Sequence, residues 1–525
     1  MQVDYIVIGA GSAGCVLANR LSESGHHQVL VLEAGGADSK QEVSIPAAFS
    51  KLFKSELDWN YETVPQPHAN GRVLYWPRGK MIGGSSSMNA MIYQRGHPST
   101  YDGWAALGNE EWGWDDMLPY FKKSQHQERS ASTTMHGRGG PLTVSELRTP
   151  NPLSVAFVEA AAQAGYPRNG DFNDGDQEGF GLYQVTQTNG TRHSAARGYL
   201  HPALSRPNLH TEIHALVTRL LFDGKRCSGV QYTRNGQRYD ATATKEVILC
   251  GGAINSPQLL LLSGIGPGAH LQEMGIEVLM NLPGVGQNLQ DHLVVSLTYY
   301  CKKPVSLARA ESLGNLVRFL FFKRGMLTSN VGEAGGFLRL NPAATVPDLQ
   351  YHFAPVFYVN HGFDSPQGHG FTIAPTLVAV KSRGTIKLRS VVPSDTPLID
   401  PNYLAHEEDM NVLLQGVRIG RTLAQQQAFE PYRGDEHMPG EAVQSDDELR
   451  DFIRQHTETL YHPTGTCKMG VDPMAVVSTE LRVHGIDGLR VVDASIMPEI
   501  VNANTNAPII GIAERAADLI LAAKD

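Results

Sequence analysis

Apolar and polar positions in the first 33 residues predict a strand, a helix and a second strand. An apolar run at 3–8 precedes a glycine-rich turn, small and apolar residues continue with helical spacing to Leu21, and a second apolar run covers 29–32. Short apolar runs bounded by turn residues are typical of strands in a parallel sheet. The N-terminal segment is therefore predicted to form a βαβ unit.

The middle of the chain shows a different pattern. Residues 198–250 contain short strand-like runs, the last of which ends just before Gly251 and Gly252. Between about 298 and 455, alternating apolar and polar residues joined by turn residues predict antiparallel strands. The clearest of these strands are 349–353, 371–375 and 385–388. From about 456 the glycine-rich turns return, and 509–524 has the spacing of an amphipathic helix.

These patterns predict two domains. The fold class is an α/β, Rossmann-like cofactor-binding domain combined with an α+β substrate-binding domain that contains an antiparallel sheet. The first domain is expected to comprise 1–155, 196–297 and 456–525, and the second 156–195 and 298–455.

Composition excludes several classes of protein. Hydrophobic residues make up 41% and charged residues 18% of the 525 residues, which is typical of a globular protein with a large core. The net charge of −9 offers no basic surface for nucleic acid. The five cysteines form no CxxC pair and no Cys/His ligand set, which argues against a disulfide scaffold and a metal site.

The glycine turn has the spacing of a dinucleotide-binding site. Gly9, Gly11 and Gly14 form a GxGxxG between the first strand and the helix, and Glu33 follows 19 residues beyond Gly14. Such glycines permit a tight turn and bring backbone N–H groups to a pyrophosphate at the helix N-terminus. The acid binds ribose hydroxyls and disfavours a 2′-phosphate, so NADP is excluded, whereas NAD and FAD both remain. Ser12, Ala13 and Ala34 belong to the same predicted site.

Two longer segments resemble the signatures of the glucose–methanol–choline (GMC) flavoprotein oxidoreductases. Segment 79–89 reads GKMIGGSSSMN and segment 252–266 reads GAINSPQLLLLSGIG, in the order that the family has them. The resemblance extends from residue 2 to about residue 522, and it is greatest to the branch of choline and alcohol dehydrogenases. It implies FAD rather than NAD.

The resemblance also implies which further residues contact the cofactor. They are Arg78, Gly79, Gly83, Gly84, Ser85, Asn89, Ala90, Met91, Val217, Gly252, Asp493, Ala494, Asn504, Asn506, Ala507 and Pro508. Relatives with covalently bound flavin carry a His before the Asn of the first signature, where this chain has Met88. We therefore expect non-covalent FAD.

The catalytic pair is assigned by the same resemblance. Alcohol oxidation by flavin requires a base for the hydroxyl proton, and histidine suits that task near neutral pH. The segment 461–466, YHPTGT, resembles the element that carries the catalytic histidine, which is His462 here. Its partner is expected at Asn506 in the C-terminal segment 502–508. An Asn amide can hold the alcohol oxygen without titrating while hydride leaves for flavin N5.

Four residues are expected in the substrate pocket. Glu333 matches an acid that faces the trimethylammonium group in choline-oxidising relatives, and Trp59 and Tyr461 match aromatic positions around it. His352 matches a pocket histidine. No Trp follows Trp114, so the Trp that choline oxidase contributes from its substrate domain is missing, which argues against choline.

The predicted function is therefore the FAD-dependent oxidation of primary alcohols, aliphatic or aromatic, to aldehydes. Choline oxidation to betaine aldehyde is the nearest alternative, and a flavin-containing hydroxynitrile lyase or a light-driven fatty-acid decarboxylase are further ones. With no second GxGxxG, the electrons must pass to oxygen, a quinone or an electron-carrier protein.

The expected location is the cytoplasm, because the N-terminus lacks the charged and apolar regions of a signal peptide. Segment 313–327, LGNLVRFLFFKRGML, combines a Phe-rich run with three basic residues. A helix packed on the core is one interpretation of this segment. A peripheral membrane contact is the other.

Overall fold

A computed structural model describes residues 1–129, 134–364 and 366–523, and it contains two main sheets. In the first sheet, parallel strands flank Gln2–Ile8, and an antiparallel extension follows Gln237–Leu249. Its strands run in the order Leu209–Glu212, Val29–Leu32, Gln2–Ile8, Gln237–Leu249, Arg226–Arg234 and Ala215–Asp223, with Leu489–Val491 also pairing parallel to Gln237–Leu249. The predicted α/β domain is therefore present.

The predicted βαβ unit consists of Gln2–Ile8, the helix Ser12–Ser22 and Val29–Leu32. Both strands are apolar and largely buried because helices and loops cover the sheet on both faces. The strand expected to end at Cys250 lies parallel to Gln2–Ile8, so the two chain segments approach the same edge of the sheet.

The second sheet is antiparallel. Its strands run in the order Arg433–Met438, Leu297–Cys301, Gly370–Leu377, Leu349–Ala354, Ala334–Leu338 and Gly179–Leu182, with Leu293–Val294 and Glu458–Thr459 beside them. Two of the three predicted strands lie here. The third, Thr385–Lys387, pairs instead with Leu398–Asp400 as a separate ribbon. Leu293–Val294 and Glu458–Thr459 join this sheet although the predicted boundaries place them in the cofactor domain, and the division into domains stays a prediction.

Helices cover both sheets. The α-helices are Ser12–Ser22, Gln41–Ser44, Pro98–Ala106, Trp114–Ser124, Pro152–Gln163, His201–Ala203, Gly252–Leu262, Gly268–Glu273, Leu313–Phe322, Glu407–Ala424, Asp446–His456 and Asn506–Ala522. The remaining strands form short ribbons: Tyr61–Glu62 with Tyr75–Trp76, Gln125–Gln127 with Leu142–Val144, Gln187–Thr188 with Thr191–Arg192, and Ile265–Gly266 with Met280–Asn281. The C-terminal helix begins three residues before its predicted start, and its predicted end at Lys524 lies outside the described residues. No helix within the described ranges is long and apolar enough to cross a membrane.

Candidate active site

The glycine turn brings three backbone segments so close together that side chains are excluded. A Cβ on Gly14 would lie 1.9 Å from the carbonyl oxygen of Gly9, and a Cβ on Gly9 would lie 2.7 Å from that of Cys250. Gly84 approaches the same turn, since its Cβ would lie 2.8 Å from Gly11 Cα. The helix that begins at Ser12 therefore presents its free N–H groups to a cleft with unobstructed backbone.

Glu33 is tied to the turn by backbone hydrogen bonds. Its two carboxyl oxygens accept from the N–H groups of Ala10 and Gly35, each at 2.8 Å. Burial raises the pKa of Glu33 to about 7. A carboxylate oxygen has a further lone pair beyond the one used by each N–H, so Glu33 can still accept from a ribose hydroxyl.

The cleft above the turn has about 1240 Å³ of free space, part of it open to solvent. Fourteen of the residues expected to contact the cofactor line it: Gly9, Gly11, Ser12, Ala13, Glu33, Ala34, Arg78, Gly79, Gly84, Ser85, Val217, Gly252, Asp493 and Ala494. The bare turn, the helix N-terminus and the acid together suit the pyrophosphate and ribose of a dinucleotide. The residues present therefore fit FAD.

The other predicted cofactor residues lie elsewhere. Gly14 packs the helix against its strand, and the Gly83 N–H donates to the carbonyl of Ala10 at 2.7 Å, so both support the turn from behind. Ala507 and Pro508 are buried in the C-terminal helix and line neither this cleft nor the cavity beside it. The remaining five, Asn89, Ala90, Met91, Asn504 and Asn506, line a second cavity.

This second cavity adjoins the cleft. Ser12, Arg78, Ser85, Thr505 and Ile509 form part of both walls. It has about 1280 Å³ of free space, and most of its wall is apolar. The apolar residues of the wall include Phe49, Phe53, Met88, Ile92, Val294, Val331, Ala354, Ala374 and Leu460. An apolar substrate would therefore lie directly beside a ligand of the glycine turn.

His462 lies at the polar end of the second cavity, together with His352. Enclosure by the protein, reinforced by neighbouring His292, His352 and Arg78, holds the pKa of His462 well below its usual range. Enclosure likewise lowers the pKa of His352 to about 4. Both rings are consequently neutral at pH 7, and His462 has one unprotonated ring nitrogen.

A directed chain of hydrogen bonds indicates which nitrogen that is. The Tyr183 hydroxyl donates to the carbonyl of Tyr351 at 2.7 Å, and so accepts from Gln350 Nε2 at 3.0 Å. The same Gln350 amide donates to Asn504 Oδ1 at 3.3 Å, which turns Asn504 Nδ2 toward His462 Nε2 at 3.4 Å. An amide N–H can face only an unprotonated nitrogen, so the lone pair is on Nε2.

The proton on the other side of the His462 ring is shared with His292. The two Nδ1 atoms lie 2.9 Å apart, so the Nδ1–H of His462 donates to the Nδ1 of His292. Burial lowers the pKa of His292 to about 3, which keeps that ring neutral and able to accept. The lone pair of His462 Nε2 is thus directed at Asn504 and the cavity.

Asp291 fixes the backbone of the same segment. Its Oδ1 accepts from the His462 N–H at 2.7 Å, and its Oδ2 accepts from Thr459 Oγ1 at 2.6 Å. The residue before His462, Tyr461, has φ +70, a left-handed conformation that costs a non-glycine residue free energy. Asp291 and His292 could not be predicted from the sequence as site residues. An Asp-His pair in a loop forms no recognisable motif, and only the fold places it next to His462.

Asn506 lines the same cavity as His462, but within the described residues its side chain is hydrogen-bonded to Ser12 and not to His462. Its Oδ1 accepts from the Ser12 hydroxyl at 2.7 Å, at the first residue of the glycine-turn helix. Asn506 begins the C-terminal helix and lines the second cavity, where Ser12 belongs to the walls of both the cavity and the cleft. Asn504, two residues earlier, occupies the position beside His462 that the sequence analysis gave to Asn506.

Glu333 faces away from the cavity. It is 1% exposed, and its carboxylate accepts hydrogen bonds from Ser329 Oγ, Ser154 Oγ and the Asn151 N–H. Glu333 is thus held by donors within the protein and does not belong to the lining of the second cavity, so the structure does not place it against a substrate cation. Trp59 also differs from expectation, because it lines the cofactor cleft and stacks on Tyr61 with ring centroids 5.6 Å apart.

Another carboxylate, Glu458, lines the substrate cavity instead. Burial raises the pKa of Glu458 to about 7, and Tyr358 and Tyr461 line the wall beside it. The hydroxyls of these two tyrosines lie 3.1 Å apart, and the ring of Tyr461 lies 5.8 Å from that of Phe53. His352 and Tyr461 are thus the two predicted substrate residues that the structure places in the cavity.

Two family models match the chain over most of its length. Both are described as GMC oxidoreductase, the N-terminal model over residues 3–294 and the C-terminal model over 380–513. The chain belongs to the GMC oxidoreductase family. As a GMC oxidoreductase, it is an FAD-dependent enzyme that oxidises CH–OH groups.

Similar proteins agree with this assignment. The chain is 46% identical to "Alcohol dehydrogenase [acceptor]" of Pseudomonas putida, over 99% of this chain and 95% of that protein. It is 47% identical to "Choline dehydrogenase, mitochondrial" of Mus musculus, over 99% and 89%. The crystal structure of pyridoxine 4-oxidase from Mesorbium loti is 33% identical, has a TM-score of 0.90 and covers 98% of each chain. A formate oxidase of Aspergillus oryzae, studied for its FAD modification, is 28% identical with a TM-score of 0.93, over 99% of this chain and 98% of that one.

Proposed function

We propose that this enzyme oxidises primary alcohols to aldehydes, with His462 as the base. The observation that carries the proposal is the neutral His462 ring, whose Nε2 lone pair points into an apolar cavity adjoining the cofactor cleft. A base in such a place can remove a hydroxyl proton at neutral pH without first losing a proton of its own.

The oxidation consists of one proton transfer and one hydride transfer. His462 Nε2 takes the hydroxyl proton, while the hydrogen bond from its own Nδ1–H to the Nδ1 of His292 stabilises the imidazolium that forms. Bound FAD supplies the acceptor for the hydride that leaves the carbinol carbon. The electron pair of the former O–H bond then forms the carbonyl group of the aldehyde.

Asn504 holds the reacting oxygen in this proposal. Its Nδ2 lies 3.4 Å from His462 Nε2, so an alcohol oxygen that approaches both groups from the cavity would receive a hydrogen bond from Asn504 and give its proton to His462. Gln350 keeps the amide in that orientation. A donor fixed in advance stabilises the negative charge that develops as the proton leaves. We assign this role to Asn504 in place of Asn506. Asn506, together with Ser12, is instead proposed to contribute to binding the cofactor.

FAD is proposed to be bound without a covalent link. Met88, which is 3% exposed, stands where relatives with covalent flavin carry a His, and a thioether does not form such a link. Acid precipitation should release the yellow colour into the supernatant. Colour that stays in the pellet would contradict this proposal.

Two substrate classes remain, and Glu458 distinguishes them. The many apolar residues of the cavity favour a neutral aliphatic or aromatic alcohol. Choline is the second candidate, because Glu458 together with Phe53, Tyr358 and Tyr461 gives a carboxylate among aromatic rings, which suits a quaternary ammonium. The candidates separate on charge: choline requires ionised Glu458, whereas hexanol does not.

The electron acceptor is proposed to be external to the chain: oxygen, a quinone or an electron-carrier protein. The cytoplasm and a peripheral membrane contact remain predictions about location. A hydroxynitrile lyase would use the same base without changing the oxidation state of FAD.

The direct test is anaerobic mixing of the FAD-loaded enzyme with hexanol, benzyl alcohol and choline while the visible flavin absorbance is recorded. Bleaching by hexanol or benzyl alcohol is expected, and recovery in air would then separate oxidase from dehydrogenase. Bleaching by choline alone would move the proposal to the second candidate. No bleaching by any of the three, with cyanohydrin cleavage instead, would replace oxidation by the lyase.

A further inference from the structure

The helix Leu313–Phe322 turns its apolar side to solvent. The exposed apolar residues are Leu313, Leu316, Val317, Leu320, Phe321 and Phe322. Leu313 and Phe321 are each 76% exposed, whereas Phe319 is 3% exposed. The first five exposed positions follow the spacing i, i+3, i+4, i+7 and i+8 that normally marks the buried stripe of a helix. A contiguous apolar stripe facing water marks a contact surface.

Positive charge accompanies this stripe. Segment 313–324 contains Arg318, Lys323 and Arg324 and no acidic residue, in a chain whose net charge is −9. Lys323 ends the helix, and its Nζ lies 4.6 Å from the centre of the Phe319 ring. The one nearby acid that precedes the helix, Glu311, is paired with Lys51 at 2.6 Å. The exposed helix therefore complements an anionic, apolar surface.

The helix packs against the wall of the substrate cavity. Phe319 packs in the same buried cluster as Phe49, Phe53, Met88 and Val331. Those four residues also line the cavity. A surface held by this helix would thus lie on the outer side of the wall that encloses the substrate.

We propose that Leu313–Phe322 docks the enzyme on an anionic phospholipid bilayer. The helix is about 15 Å long, which suits it to lie flat at the level of the headgroups with its stripe in the acyl region and its cations on phosphates. Docking would bring apolar alcohols or a lipid-soluble acceptor to the cavity, and this consequence rests on the proposed function. Pairing of the stripe with a second copy is disfavoured, because a two-fold interface would bring the cations of both copies together.

Flotation of the full-length, FAD-loaded enzyme with phospholipid vesicles tests the docking. We expect binding to vesicles of phosphatidylcholine and phosphatidylglycerol at 3:1, and weaker binding to phosphatidylcholine alone. Leu320→Ser with Phe321→Ser should weaken binding by at least tenfold, since both side chains would leave the acyl region. Arg318→Gln, Lys323→Gln and Arg324→Gln together should weaken it by roughly 100-fold on the anionic vesicles, at about fivefold for each charge.

A matched control replaces two exposed apolar residues elsewhere. Val391 and Val392 are 52% and 48% exposed, and changing both to Ser should leave vesicle binding intact. All variants should reduce their flavin with hexanol at the wild-type rate. Wild type that floats with neither vesicle would overturn the proposal, as would a wild-type dimer that Leu320→Ser with Phe321→Ser converts to a monomer. Vesicle binding without any alcohol oxidation would leave docking in place and contradict the proposed function alone.

Discussion

Replacing Asn504 or Asn506 by Ala distinguishes the roles of the two asparagines that lie near the reaction site. Asn504 Nδ2 is directed at His462 Nε2 at 3.4 Å, whereas Asn506 Oδ1 accepts from Ser12 at 2.7 Å. Asn504→Ala should therefore slow the chemical step. Asn506→Ala should weaken cofactor binding and leave that step almost unchanged.

The size of each effect follows from the bond that is lost. Removing a preorganised donor to a developing oxyanion costs about 10² to 10³ in rate. Because Asn504 supplies a single donor and the distance is long, we expect the lower end, roughly 100-fold. Asn506→Ala removes one neutral hydrogen bond, worth about 1 kcal/mol, or roughly fivefold in the Kd for FAD.

Anaerobic stopped-flow measures the first effect as the limiting rate of flavin bleaching at saturating alcohol. Titration of the apoprotein with FAD measures the second. The asparagines serve as controls for each other, since both variants shorten the same side chain in the same segment. A 100-fold slower reduction in Asn506→Ala, together with a near-normal rate in Asn504→Ala, would refute the assignment.

The remaining predictions concern charge, packing and the turn. Burial raises the pKa of Glu458 to about 7, so kcat/KM for choline should rise roughly tenfold between about pH 6 and 8 as the carboxylate forms. Glu458→Gln should abolish this rise without affecting hexanol oxidation. Because the folded pKa of Glu458 lies above its usual value, this group contributes most stability at low pH and loses it as the pH rises toward 7, so Glu458→Gln should flatten that part of a Tm-against-pH curve. Glu333→Ala leaves three buried hydrogen-bond donors without an acceptor, so it should lower the free energy of unfolding by about 3 kcal/mol or more in urea titrations. The ratio of choline activity to hexanol activity should stay unchanged. Gly84→Ala, at φ +50 and facing Gly11 Cα, should yield colourless protein, and full FAD content would contradict our view of the turn.

Local features of the fold were predictable from the sequence. The strand, turn and helix at the N-terminus have a clear local sequence pattern, so the apolar spacing and the glycines were sufficient to predict them. The antiparallel strands at 349–353 and 371–375 were visible for the same reason. From the sequence, Thr385–Lys387 could not be distinguished from a strand of the second sheet. It pairs instead with Leu398–Asp400, and the apolar pattern of a strand does not show which strand it will pair with.

Site residues were predictable from the sequence only where they lie in a recognisable motif. His462 stands in a recognisable segment, but the choice between Asn504 and Asn506 depends on the residue at which the C-terminal helix begins. Glu333 and Glu458 are equivalent in a sequence. They differ in the structure because the distant residues Asn151 and Ser154 donate to Glu333, whereas Glu458 lies on the cavity wall.

The central claim is that His462 removes the hydroxyl proton of an alcohol while FAD is reduced. It is tested most directly by single-turnover reduction of the flavin with hexanol in wild type and in His462→Ala, both loaded with FAD and free of oxygen. Loss of a general base predicts a decrease in the reduction rate of at least about 100-fold, with FAD content and Tm unchanged. Reduction of His462→Ala at the wild-type rate would contradict the account.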